Sequence, residues 1–265
     1  MKVFDFLSDS VSGADIVIDK SLPLVHTTKY QDFKEETFPA KNILKQMKLR
    51  INDEHLLYFF YARPARRFKN EKEIPVVLII EPILKDIHKV YPFDTGAFDK
   101  YIENNRLDSR TPMSDYELSN NLIAIQQYIN AIFGNNYNYY YGKHKTDDEL
   151  SNIVKQCRKT NPDLNNLLNL INEKKEDGID DRCKTIEIQS ANDYNLSGKL
   201  LAIVVPNFCQ NDKEFIKIIK KINVALLCYE YYSMSKLYDH REIYKCVKKY
   251  YDNQGYITSG GNYDS

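Results

Sequence analysis

The chain has 265 residues, enough to bury a proper core without disulfide or metal staples, and its length favours one large domain carrying an insertion. Its 37 Lys+Arg balance 37 Asp+Glu, so a formal net charge of +0 gives no global attraction to a polyanion or a membrane surface; any nucleic-acid contact has to come from a local patch. The five cysteines (Cys157, Cys183, Cys209, Cys228, Cys246) are odd in number, widely spaced and lack a Cys-x-x-Cys pair, which disfavours a disulfide framework and a zinc site and fits a reducing cytoplasm.

Met1 to Ser10 mixes acidic and aromatic residues, and no apolar run reaches the roughly 18 to 20 residues of a membrane span, so a soluble, unexported protein with no membrane partner is expected. Leu22 to Thr27 reads as a short buried strand, followed by a helix over Asp32 to Lys48 that Pro39 interrupts. Glu54 to Tyr61 and Ile74 to Ile80 are dense in Leu, Val, Ile, Tyr and Phe and short enough to be central strands. Pro92 to Phe98 is turn chemistry, with Asp94 and Gly96 in the bend and Phe93 and Phe98 pinning it. Leu118, Leu122, Ile125, Ile129 and Ile132 then recur at spacings of three and four, predicting a helix over Ser114 to Phe133 that Gly134 stops.

Lys143 to Asp181 is polar, with one short helix around Leu164 to Ile171; it reads as a loop or a small insertion. Thr185 to Gln189 and Leu200 to Val205 read as two strands of a hairpin turning around Asn192 to Gly198. Lys213 to Tyr232 and Met234 to Tyr251 have helical period, and the tail from Ser259 to Ser265 is too polar to order itself. Strand-rich blocks followed by one-sided helices predict an α+β fold, read as a single domain over 1–265 with a helical and loop insertion at 99–181.

Three polar residues stand out because each is set in apolar sequence. His26 lies between Val25 and the hydroxyls of Thr27 and Thr28 at a strand end, where it either serves a cleft or bonds a backbone carbonyl in the core. Arg63 follows Tyr58-Phe-Phe-Tyr-Ala and precedes Pro64, which disfavours helix; it either projects a planar fork of donors suited to phosphate or carboxylate or is a surface arginine lying over Tyr61 and Phe68. Arg66 and Arg67 read as surface residues. Glu187 alternates with Ile186 and Ile188, and a carboxylate on the inner side of a sheet is costly unless it is hydrogen-bonded or paired; it reads either as the outward face of an ordinary edge strand, or as an inner carboxylate that pairs with an arginine or serves as a general base or oxocarbenium-stabilising group. No Gly-x-Gly-x-x-Gly, Walker A, Gly-x-Ser-x-Gly or His-Glu-x-x-His pattern occurs.

The succession of His26-Thr27-Thr28, the aromatic run from Tyr58 to Arg63-Pro64, and Arg182 to Glu187 resembles the ADP-ribosyltransferase fold, and within it the DarT-like toxins. The resemblance implies a split mixed sheet flanked by helices and NAD as co-substrate. It assigns Glu187 and Arg63 to catalysis, and His26, Thr27, Thr28, Tyr58 and Tyr61 to NAD, one of the two tyrosines stacking on the nicotinamide. It implies RNA or single-stranded DNA as acceptor, contacted by Lys143, Lys145, Lys155, Arg158 and Lys159, and an antitoxin protein or chaperone restraining the enzyme. DarT-like chains continue the arginine with Ser-Pro-Met where this one has Arg63-Pro-Ala-Arg-Arg67, so the acceptor stays open, and the messenger-RNA-modifying CmdT toxins resemble it as well. Modification of a protein or plain NAD hydrolysis would use the same residues. A non-enzymatic nucleic-acid-binding protein working through the tyrosine-lysine helices of Lys213 to Tyr251, and a metal-dependent nuclease around Asp180-Asp181, are the other readings.

Overall fold

The structure is a computed structural model that describes residues 20–34, 43–44, 47–48, 55–65, 73–82, 87–156, 162–172, 181–232 and 236–257. Among them the strands are β1 (Leu24–Lys29), β2 (Ile43–Leu44), β3 (Met47–Lys48), β4 (His55–Tyr61), β5 (Pro75–Ile80), β6 (Ile87–Tyr91), β7 (Glu187–Ser190), β8 (Tyr194–Asn195), β9 (Leu200–Pro206) and β10 (Ala225–Tyr229). Besides a short helical turn at Tyr30–Asp32, the helices are α1 (Phe98–Glu103), α2 (Leu122–Ile132), α3 (Asn136–Tyr140), α4 (Asp147–Gln156), α5 (Pro162–Asn172), α6 (Lys213–Ile222) and α7 (Lys236–Gln254). The fold is α+β with a mixed open sheet. The chain forms two compact units, one built on Ile87–Ile188 and the other on Leu22–Asp86 with Gln189–Ile257. Among the described residues no helix is long and apolar enough to cross a membrane.

In the second unit the sheet runs β10-β9-β5-β1-β4. Its centre is β5, whose Val-Val-Leu-Ile-Ile run is wholly buried and pairs antiparallel with β1 on one side and β9 on the other. Such a run has no polar face to offer water, which suits it to the middle of a covered sheet. Pro75 opens it, a strand position where a missing N–H is tolerated. At the edge β10 pairs parallel with β9, α6 providing the crossover between them.

In the first unit β6 lies beside β7 and leads into an aromatic cluster. Phe93 stacks on Phe98 at 5.9 Å and meets Tyr101 and Tyr116 edge-on at 5.9 and 5.6 Å. Asp94 caps the bend by accepting from Gly96 N–H at 2.9 Å, as its turn chemistry predicts. Buried tyrosine hydroxyls tie up backbone groups in both units: Tyr139 accepts from Ile186 N–H, Tyr61 accepts from Leu22 N–H, and Tyr229 and Tyr251 donate to the carbonyls of Pro75 and Ala62, at 2.9 to 3.0 Å.

Several expected elements are corrected. The helix over Asp32 to Lys48 gives way to β2 and β3, which pair with β8 and β4, so partners distant in sequence override the local period. Pro39 lies outside the described residues, as do Arg66, Arg67 and the tail from Ser259 to Ser265. The helix placed over Ser114 to Phe133 starts only at Leu122, where Asn121 caps it by accepting from Ala124 N–H, because Leu118 is already bridged to Val90. Gly134 does stop it, at φ 84°. The polar stretch holds α4 as well as α5. The hairpin does not form: β9 spends its two edges on β5 and β10. The helix expected over Lys213 to Tyr232 ends at Ile222, Asn223 turns left-handed at φ 53°, and Ala225–Tyr229 extends into β10.

Candidate functional site

The carboxylate of Glu187 is built into the first unit by the turn that leaves β6. Asp94 N–H donates to the carbonyl of Arg182 at 2.9 Å, fastening the turn to the segment that enters β7. The next residue, Thr95, then donates twice to Glu187: its N–H reaches Oε2 at 3.1 Å and its hydroxyl reaches Oε1 at 2.6 Å. The entry segment is fixed from the far side too, by Tyr139 on Ile186 N–H and by Lys184 Nζ on the Gly142 carbonyl at 3.2 Å. Glu187 is only 1% exposed and its neighbours Ile186 and Ile188 are fully buried, so β7 is covered on both faces and the outward-edge reading fails. These two donors offset part of the cost of burying that carboxylate.

Arg63 belongs to the second unit and sits just past β4. Arg63 N–H donates to the Tyr61 carbonyl at 2.7 Å, closing a three-residue turn around Ala62, whose φ of 59° is left-handed. A γ-turn of this hand is strained in an alanine, at a cost on the order of 1 to 3 kcal/mol, and persists only where the surroundings over-determine it. They do so here: Ala62 N–H donates to Pro23 at 2.8 Å and its carbonyl accepts from Tyr251 at 3.0 Å. The turn delivers the Arg63 side chain into the interior, 1% exposed. A buried guanidinium behind a strained turn is an expensive arrangement, typical of a group held in place for recognition.

On β1, His26 is buried and its ring meets Phe59 edge-on at 5.8 Å. Nδ1 lies 2.8 Å from the Tyr58 carbonyl, and a carbonyl only accepts, so Nδ1 carries the proton and Nε2 of a neutral ring is an acceptor. The alternation of a strand places Thr28 on the face of His26 and Thr27 on the other, so Thr27 does not act beside His26 as the resemblance implied. Tyr61 is corrected as well: it is a core residue whose hydroxyl is used on Leu22, and burial pushes its pKa up to about 12. Tyr58, half-buried, keeps part of its surface open. Along β1 and β4 the second unit carries His26 and Thr28 on one face of the sheet and Tyr58, which the register sets opposite Thr27, on the other, with Arg63 just past the end of β4; Glu187 and Thr95 belong to the first unit.

No family model, curated sequence or solved structure matches the chain. Its chemistry rests on its own geometry. Among the described residues no group of three or more His, Cys, Asp or Glu could hold a metal ion; Asp180, on which the nuclease reading was placed, lies outside them. Lys143 lies over the Tyr141 ring at 5.6 Å and Lys155 is exposed on α4, whereas Arg158 and Lys159 lie outside the described residues. A polar cavity of about 450 Å³ in the first unit, lined by Asn104, Asn105, Arg106, Asn166, Asn169 and Leu170, contains none of the predicted site residues. The residue that sequence reasoning missed is Thr95. Its signal was its place between Asp94 and Gly96, where the turn aims a hydroxyl and an N–H outward together.

Proposed function

We propose that this chain is an NAD-dependent ADP-ribosyltransferase that modifies a nucleic-acid base, RNA or single-stranded DNA, as the toxin of a toxin-antitoxin or phage-defence system. The observation that carries the reading is the buried Glu187 carboxylate held through both oxygens by Thr95. In such a reaction the bond between ribose C1 and nicotinamide breaks, its electron pair leaves with the nicotinamide nitrogen, and positive charge spreads over C1 and the ring oxygen. A fixed carboxylate that accepts a hydrogen bond from a ribose hydroxyl stabilises that charge without having to reorganise. A nitrogen or oxygen of the acceptor base then bonds to C1 and loses its proton to water.

The roles that go with this reading are a phosphate for the donor fork of Arg63, the adenosine-side ribose for His26 and the nicotinamide ring for Tyr58. An antitoxin protein or chaperone is the partner that restraint of such an enzyme requires. The test is incubation with NAD labelled in the adenylate, alone and with RNA, single-stranded DNA or protein. Nicotinamide release with label on the nucleic acid, lost in Glu187→Gln while the melting profile is kept, is the expected result. Label on protein alone would move the acceptor, and no release by folded wild-type protein would end the reading.

A further inference from the structure

The far edge of the second unit carries a feature that the chemistry at Glu187 leaves unused. Strands β1 and β9 each run antiparallel to β5, and β10 runs parallel to β9, so β1, β9 and β10 all point the same way. Just beyond the C-terminal end of each stands an aromatic ring: Tyr30, Phe208 and Tyr231. The three are in contact, Phe208 meeting Tyr30 at 5.5 Å and Tyr231 at 5.8 Å. Phe208 is 38% exposed, and Tyr232, the residue after Tyr231, is 44% exposed beside Tyr238. Among the described residues only Ile123 joins Phe208, Tyr232 and Tyr238 as a large hydrophobic side chain so open to water. Arg63 lies past the opposite end of β1, roughly 20 Å away at about 3.3 Å per strand residue, so this row is separate from the arginine turn.

A basic helix begins beside the row. Lys34 sits over the Tyr30 ring at 5.6 Å and pairs with Asp212 at 3.0 Å, and Asp212 caps α6 by accepting from Phe215 N–H. The exposed face of α6 then presents Lys213, Lys217, Lys220 and Lys221 against a single Glu214, at spacings that form one stripe. On α7, by contrast, Lys245 is paired with Glu242 and Lys248 with Asp252. None of the four on α6 forms an ion pair among the described residues. In a chain of zero net charge this is a concentrated patch of one sign.

We infer that the Tyr30-Phe208-Tyr231 shelf and the lysine face of α6 bind a single-stranded nucleic acid, one base stacking on Phe208 while the backbone follows the lysines. Aromatic rings stack on any base and lysines neutralise successive phosphates, the combination by which single strands are held without reading sequence. The predominantly positive face of α6 favours a polyanion over a protein surface of mixed charge. The inference deepens the proposed reading by placing the strand, and it is measured without NAD.

The experiment is fluorescence anisotropy of fluorescein-labelled oligo(dT) and oligo(rU) of roughly 12 nucleotides, titrated with full-length protein at several salt concentrations. Phe208→Ala is expected to weaken binding by about tenfold, since base–aromatic stacking contributes that much or more. Changing Lys217, Lys220 and Lys221 together to alanine should flatten the slope of log affinity against log salt by about 2, at about 0.7 per phosphate contact on a single strand. All four side chains are exposed, and circular dichroism melting checks that the fold is kept. Glu187→Gln should bind the strand normally, and Phe208→Ala should keep nicotinamide release, so failure here and failure of the catalytic reading are distinguishable. Wild-type protein that leaves the strands unbound at low salt overturns the inference and hands the aromatic row to a protein partner. Equal affinity for an abasic strand overturns the stacking.

Discussion

Replacing Thr95 by valine removes one hydroxyl and keeps the shape of the side chain, which isolates the short contact to Glu187. At 2.6 Å the O–H···O⁻ distance lies in the range of charge-assisted bonds, and a hydrogen bond to a charged group contributes about 1.5 to 3 kcal/mol. The second bond, from Thr95 N–H at 3.1 Å, survives the substitution, so the loss should sit near 2 kcal/mol. For a protein of this size that corresponds to a fall in melting temperature of about 4 to 8 °C. Thermal and urea unfolding of Thr95→Val, Glu187→Gln and the double variant form a cycle, with Thr95→Ser as the variant that keeps the bond. The coupling expected is about 1 to 3 kcal/mol. Nicotinamide release should fall in Thr95→Val and be retained in Thr95→Ser, because valine leaves the carboxylate unable to hold one orientation. Additive losses with no coupling, or Thr95→Val melting with the wild type, would show that Thr95 does not hold Glu187.

Two further outcomes follow from the second unit. Ala62→Gly relieves a left-handed alanine and should raise stability by about 1 kcal/mol in urea, read as a higher midpoint at an unchanged slope; a lower midpoint would show that the turn is not strained. Burial holds the Tyr61 proton up to about pH 12 in the folded protein against 10 for an ordinary tyrosine, so between those values the folded state binds the proton that the unfolded state has lost. Its contribution is whole below pH 10 and is lost as pH rises toward 12. Tyr61→Phe should therefore flatten the alkaline arm of stability against pH, and an unchanged arm would exclude Tyr61 as a source.

The parts of the fold legible in the sequence are those decided by nearby residues. A wholly apolar run such as Val76 to Ile80 can satisfy itself only inside a sheet, and Asp94 with Gly96 closes its own turn. What stayed hidden depends on distant partners. Ile43, Leu44 and Met47 fit a helix until β8 and β4 are present to pair with them, and Ala225 to Tyr229 continues the helical period of α6 until β9 offers a parallel edge. The site divided in the same way. Arg63 before Pro64 and Glu187 between isoleucines were visible, but that Glu187 is wholly buried, that Thr95 holds it, and that Tyr61 belongs to the core could be seen only once segments from 39 to 92 positions apart had met.

The four hydroxyl ties of Tyr61, Tyr139, Tyr229 and Tyr251 all end on main-chain atoms, of Leu22, Ile186, Pro75 and Ala62. Every residue except proline carries the same amide, and every residue the same carbonyl, so the receiving positions are open to drift in side chain while the phenol is not. Related chains would be expected to vary at the receiving end of each tie and to keep the ring end. For a protein so rich in tyrosine, that asymmetry separates the phenols fixed by the architecture from those that merely follow the base composition of a genome.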